Sequence, residues 1–430
     1  MSRQSRAPIH RRTFLQTAGA ATGALLCGGL PRLAFPAVRK PATIQFWHWL
    51  NEPGDPLWPK LVDQFQRTHP EIKVNMQLVP LNDFRQKALV AHQVGTPPDV
   101  SRIHPAWVGE FYDLDVLHAL DDRLAKSPLK DDFFPSAIEL CRGREGRPLT
   151  VLPVLGLLVY IQYYRKDLYD AAGLKPEGSQ QQWLNAMKAL TKNDVYGFSM
   201  RGGRQGWAHG WAPFLKQNGV ELVDTKGNID ITSDAAVETT ELFASVYWNG
   251  WAPPDSLTAD LAQVLAHWKA GTAACFFHGV HAAPQLTQTL GAKVQAAVLP
   301  HGKRSWTRAD FAGYGLWKKS REPEAAWTFV EWLLQPGQHA QIVGNPLEPG
   351  VPALKSVQSL KQFQENPFIQ VAIAQKDYWG LLPYWHPYWA ALAEKDWHPN
   401  FQLLLQRKTT TKQFLQTLAD GFRKEGMPKS

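Results

Sequence analysis

The residues best suited to chemistry in this chain are aromatic, and many stand where strands end. Eighteen tryptophans occur in 430 residues, none before residue 47, so they belong to the folded body rather than to the leader. Trp47 and Trp49 close the first strand-like run, and Trp107 follows the third. Trp207 and Trp211 lie in a Gly/His-rich stretch, while Trp379, Tyr384, Trp385, Tyr388 and Trp389 crowd one segment near the C-terminus. A flat ring suits the C–H face of a sugar. The sugar's hydroxyl rim then needs Asp, Glu, Asn, His or Arg, because polar groups left unpaired in a closed site cost about 1–3 kcal/mol each.

The sequence lacks the common catalytic and cofactor motifs. Gly197-Phe-Ser-Met-Arg201 carries the serine of a nucleophile elbow without its final glycine. No H-E-x-x-H, phosphate loop or dinucleotide fingerprint occurs. Gly202-Gly-Arg-Gln-Gly206 has the wrong spacing for phosphate and reads as a loop. His278 and His281 are three apart on a strand-to-loop segment, not on one helical face, so no metal is expected there and no cofactor elsewhere. Cys141 and Cys275 fall in segments read as buried and suit neither zinc nor a redox pair; two free thiols are the expectation, although an exported protein permits a bridge.

Hydrophobic periodicity supplies the elements that must hold these residues. Thr43–Trp49 and Ile72–Val79 alternate as strands around a helix from Leu57 to His69, giving a β-α-β unit with a parallel pair. A helix over Phe84–Val94 leads through Gly95-Thr-Pro-Pro-Asp-Val-Ser101 into a third strand. Later come helices at Trp183–Thr191, Ala235–Trp248, Leu261–Ala270 and Thr409–Phe422, and short apolar strands such as Ala273–Phe277. Open α/β sheets bind ligands beyond the carboxyl ends of their strands, where the aromatic loops fall.

Several of these segments carry a family resemblance that spans nearly the whole chain after residue 40. Gly271-Thr-Ala-Ala-Cys-Phe-Phe-His-Gly279 is similar to the "G-x-A-A-M-x-x-x-G" strand of extracellular solute-binding proteins of the maltose type (family 1). Gly95-Thr-Pro-Pro-Asp-Val, Val294–Gly302 and Glu324-Ala-Ala-Trp-Thr-Phe-Val-Glu-Trp-Leu-Leu334 resemble further marks of that family, and Tyr164-Arg-Lys-Asp-Leu168 departs mildly from its Tyr-Asn-Lys-Asp-Leu. The resemblance implies an α/β fold of periplasmic-binding-protein type II, two discontinuous lobes joined by a three-segment hinge. It places residues 42–153 and 273–312 in lobe 1 and 157–270 and 316–430 in lobe 2, with crossings near 154–156, 271–272 and 313–315. It implies a ligand ring of Trp47, Trp49, Asn51, Glu52, Arg102, His104, Trp107, Trp207, Trp211, His278, Gly279, His281, Gly313, Tyr314, Trp379 and Trp385. Pro105-Ala106 stands where the maltose protein has an Asp-Arg pair, so maltose itself is not implied.

The formal charge of +8 is concentrated in the leader: residues 1–37 hold five arginines and no acid, leaving 41 basic against 38 acidic residues in the body. That mixed body argues against nucleic acid as a partner. His10-Arg-Arg-Thr-Phe-Leu followed by the apolar run Thr17–Leu30 resembles a twin-arginine export signal spanning 1–37, cleaved near Ala34–Ala37. The resulting expectation is a monomeric periplasmic receptor that uses the twin-arginine export machinery and delivers a sugar, sugar derivative or polyol to the permease subunits of an ABC transporter. Arg102, Arg201, Arg204 and Arg308 leave an acidic or glycerol-phosphate-type ligand open. An exported carbohydrate-active enzyme is the reading from another class. It needs a general acid of raised pKa beside a second carboxylate, and the loop after the third strand offers none.

Overall fold

The computed structural model describes residues 41–425 apart from 51–53, 145, 204–205, 387 and 390–391. The export signal, Asn51, Glu52 and Arg204 therefore lie outside the described residues. The strands are β1 (Ala42–His48), β2 (Ile72–Leu78), β3 (Val100–Ile103), β4 (Leu157–Arg165), β5 (Cys275–Gly279), β6 (Val294–Ala297), β7 (Thr307–Phe311), β8 (Gly313–Leu316) and β9 (Trp379–Gly380).

The first sheet has the order β2-β1-β3-β8, with β1, β2 and β3 parallel and β8 antiparallel to β3. Helices pack on both of its faces at the carboxyl end of β1, where Phe46, Trp47 and His48 are all buried. Phe46 packs on Phe329 of the helix Pro323–Leu333 at 5.2 Å between ring centroids, while Trp47 points the other way onto Phe84 of the helix Leu81–Gln93 at 6.3 Å. The Pro-Asp-Val turn has a structural purpose. One Asp99 oxygen accepts from the Gln45 N–H at 2.7 Å, and the other accepts from Ser320 and from the Arg321 N–H, tying the start of β3 to the chain after β8.

The second sheet runs β5-β4-β7-β9, and β6 shares with β7 one edge of β4. β5 and β6 lie antiparallel to β4 on opposite sides. This corrects the expected division of the chain. Residues 275–311 pair in the second sheet rather than the first, and β8 with the helix Pro323–Leu333 returns to the first. At 271–272 the chain stays within the second half, where the Tyr196 N–H donates to Thr272 O and Tyr196 bridges Ala273.

Three passages join the sheets nonetheless: between β3 and β4, between β7 and β8, and between β8 and β9. They run side by side. Leu152 pairs with Tyr314, Leu157 with Phe311, and Leu157 also with Val351. Glycine permits the close approach, since a Cβ on Gly313 would stand 2.0 Å from Leu152 O. The fully buried His339 stitches two of the passages, with Nδ1 3.0 Å from Val154 O and Nε2 accepting from the Ala353 N–H at 3.2 Å. Among the described residues no helix is long and apolar enough to cross a membrane.

Candidate functional site

β5, the edge strand of the second sheet, carries His278. The imidazole is 3 % exposed and neither ring nitrogen has a hydrogen-bond partner. It is packed among His209, His281 and Tyr160, with ring centroids at 5.0, 4.9 and 6.0 Å. Gly279 makes room for this arrangement, because a Cβ there would meet His281 Cε1 at 2.6 Å. Burial, then the neighbouring His281, drives His278 well below the ordinary imidazole range, and burial brings His281 down to about 4. Both rings are therefore neutral at pH 7, each offering one N–H and one lone pair. His281 Nδ1, Arg102 Nε and Trp207 Nε1 are also buried without partners. Buried polar groups in native proteins are ordinarily paired, so this concentration of unpaired atoms marks a place prepared for a polar guest.

β7 contributes an ion pair beside it. Arg308 and Asp310 alternate along the strand and so share one face. Arg308 Nη2 lies 2.5 Å from Asp310 Oδ2 and donates to Tyr384 Oη at 2.6 Å, while the Tyr384 hydroxyl donates to Asp310 Oδ1 at 2.9 Å. The guanidinium also lies 4.4 Å from the centroid of the Tyr160 ring. Burial opposes the charge on Arg308, but Asp310 together with Tyr160 and Tyr384 outweighs it, and Arg308 is held above its ordinary value. Burial pushes the Tyr160 phenol up to about 12.

The first half presents its own charges to the same space. Arg102 on β3 forks onto Glu348, donates to Trp49 O at 3.1 Å and lies 4.5 Å over the Trp49 ring. Burial lowers His104 to about 4, with Asp310, Arg102 and Arg308 the charges it feels next. His281 in turn feels Glu348, Arg308, Asp310 and Arg102. Groups carried by the two sheets thus act on one another across a shared cleft. At its rim Gly109, in the helix Val108–Asp113 after β3, abuts the Tyr384–Trp385 turn; a Cβ there would fall 2.7 Å from Trp385 Cα.

The structure sorts the expected ring of residues. Arg102, His104, His278, Gly279 and His281 come together, and Trp207 joins them edge-on to Trp389, with ring centroids 4.3 Å apart. Trp49 and Trp107 pack at a tilt at the end of β1 beside Arg102 and His104, and Trp385 closes the rim under Arg144. Five residues lie elsewhere. Trp47 packs on Phe84 under Lys87, Gly313 is part of the stitched passages, and Trp379 donates to Ala372 O. Tyr314 is fully buried, with its hydroxyl 3.0 Å from His48 Nδ1 among Phe46 and Trp58. Trp211 is fully buried and donates to Thr240 Oγ1 at 3.0 Å against Trp397 and Phe414, so it is a core residue. Tyr160, His209, Asp310 and Glu348 were missed. The signal for Asp310 was present in Thr307-Arg-Ala-Asp-Phe311, where two opposite charges alternate inside an apolar strand.

A profile of the bacterial extracellular solute-binding protein family matches residues 50–340. The chain belongs to that family. Among curated relatives of this solute-binding protein, one from Sinorhizobium fredii, named as a probable amino-acid ABC transporter periplasmic-binding protein, is 27% identical over 256 residues, 56% of each chain. Two solved structures share its fold. The sugar-binding protein MalE of Xanthomonas citri has a TM-score of 0.78 at 19% identity, covering 89% of this chain and 97% of that one. An ABC transporter solute-binding protein of Thermotoga lettingae, bound with α-D-tagatose, has a TM-score of 0.76 at 17% identity, covering 89% and 99%.

One constellation inside the second half looks catalytic and is better explained structurally. Ser199 Oγ lies 2.9 Å from His267 Nδ1, and His267 Nε2 lies 3.1 Å from Asp255 Oδ2. Ser199 is 2 % exposed and is one of the residues lining a small pocket of about 10 Å³. That is space for about one water molecule, not for an acyl group. The chain of hydrogen bonds ties the segment after Tyr196 to the helix Leu261–Lys269.

Proposed function

We propose that this solute-binding protein is the receptor of an ABC importer and captures an uncharged sugar, sugar derivative or polyol between its two halves for delivery to the membrane permease. The observation that carries this reading is His278, a buried neutral imidazole with both nitrogens unpaired, set among aromatic rings beside His281, which in turn feels Glu348 and Arg102 of the other half. Hydroxyls both donate and accept, which is what unpaired neutral imidazoles require. Trp207, Trp389 and Tyr160 supply flat surfaces for C–H faces. The tagatose held by the Thermotoga protein and the sugar-binding description of the Xanthomonas protein support the same class. The two halves, built on the first and the second sheet, close around the ligand about the three stitched passages.

A thermal-shift screen of the mature protein against monosaccharides, disaccharides, polyols and amino acids tests this reading, because a ligand at 100 times its Kd stabilises by about 2.7 kcal/mol. A shift confined to sugars or polyols, with the ligand recovered unchanged, is the expected result. A shift only with amino acids would replace the ligand class, and a hydrolysed or oxidised product would move the protein to the enzymes.

The leader supports a periplasmic location reached through the twin-arginine machinery, followed by cleavage, and the receptor is proposed to act as a monomer. Replacing Arg11 and Arg12 by lysine should retain the precursor in the cytoplasm; undiminished mature protein in the periplasm would refute that route.

A further inference from the structure

Two of the cationic groups facing the cleft are balanced: Arg102 is forked onto Glu348 and Arg308 onto Asp310. Arg201 stands farther from its carboxylate, with Nε 3.5 Å from Asp260 Oδ1, and burial lowers it. The balance at Arg308 is the tightest. Of the five N–H donors of a guanidinium, Nε and one on Nη2 go to Asp310, the other on Nη2 to Tyr384, and one on Nη1 to Ala208 O. A phosphate or carboxylate entering the cleft would have to displace Asp310 from a pair that is buried on all sides, and then face Asp310 itself.

We propose that Asp310 sets the charge selectivity of the cleft: by occupying Arg308 it makes the site reject anions and admit uncharged hydroxylated ligands. This rests on the receptor reading and adds to it the residue that keeps acidic and phosphorylated relatives of the ligand out. The basis is electrostatic. An anion must shed its hydration to enter a buried site, and only a cation free of an internal partner offsets that cost. Glu348 does for Arg102 what Asp310 does for Arg308, on the opposite wall. Selectivity then comes from occupied arginines, not from the absence of arginine. In the sequence alone, Arg102 and Arg308 would otherwise look like part of a phosphate site.

Substitution of asparagine for Asp310 keeps the shape and the acceptor for Tyr384 while freeing the cation. The test is titration of inorganic phosphate into the wild type, Asp310→Asn, Glu348→Gln and the double variant Arg308→Met/Asp310→Asn. Thermal shift and calorimetry are read against chloride at matched ionic strength. The wild type should show no saturable binding over the titrated range, and Asp310→Asn should bind phosphate with a Kd at least about tenfold below the top of that range. The double variant should lose that binding. Saturable phosphate binding by the wild type, or no gain in either single variant, overturns the inference. Should Asp310→Asn fail to fold, Glu348→Gln decides alone. Because the probe is phosphate, failure of every sugar in the ligand screen would leave this outcome readable, and a wild type that binds both sugar and phosphate would sink only the selectivity.

Discussion

Replacing Trp211 by alanine will destabilise the protein by about 3–5 kcal/mol while leaving the ligand's affinity for the folded fraction within about twofold. Trp211 opens the helix Trp211–Gln217 with its ring at 0 % exposure, enclosed by Trp397 and Phe414, and its N–H spent on Thr240. Truncation opens a cavity and leaves the Thr240 hydroxyl without its donor, and both terms act on stability alone. Urea unfolding measures the first quantity, and titration of whichever sugar passes the ligand screen measures the second. A variant as stable as the wild type but weakened in binding would return Trp211 to the cleft. Trp207, four residues earlier, is the contrasting case: its N–H is unpaired and it leans on Trp389 beside the ligand groups.

Acid will unfold this protein earlier than its carboxylates alone would. His104, His281 and His339 are each brought by burial to about 4 from an ordinary value of 6.5, and burial also drives His48 and His278 well below that ordinary value. The folded state therefore binds fewer protons than the unfolded chain between pH 6.5 and pH 4, and stability rises with pH across that window. The contribution is fully present above about 6.5 and is lost progressively as pH falls toward the folded values. Each fully displaced histidine represents about 3 kcal/mol, against a typical domain stability of about 5–15 kcal/mol. We expect the urea midpoint to drop steeply between pH 7 and pH 5, and His339→Gln to make that drop shallower. A midpoint flat over the interval would show that these imidazoles are solvated.

The sequence disclosed what depends on near neighbours. The β-α-β opening followed from alternation over Thr43–Trp49 and Ile72–Val79, and the Pro-Asp-Val turn was visible because Asp99 acts within a compact motif. What it withheld depends on distant partners. Ala273–Phe277 read correctly as a buried strand, yet its apolar residues suit either sheet, and only pairing of Cys275–Gly279 with Tyr160–Tyr164 settles which. Gly313-Tyr-Gly-Leu-Trp317 looked like a hinge from its glycines, but the ring of Tyr314 sinks into the first half while its backbone and that of Gly313 lie against Leu152 of the neighbouring passage. Trp211 was misplaced although Trp211, Phe214 and Leu215 stand at the i, i+3, i+4 spacing of a buried helical face. The charge balance of the cleft was half visible: the arginines stood out, whereas the carboxylates that occupy them are 246 residues away in one pair and two residues away in the other.

The stitched passages make the junction between the halves a hydrogen-bonded ribbon, not a set of loose linkers. Leu155 N–H donates to Ala312 O, Ala312 N–H to Gly156 O, and Leu157 and Val351 exchange both of their bonds. Such a junction bends by a small twist distributed over a ladder that stays intact, so motion there does not require any amide to meet water. In deuterium these amides will be among the last to exchange, opening only with the whole molecule. The pivot will thus belong to the most protected part of the protein, and the two halves will move about it as bodies that never come undone at the joint.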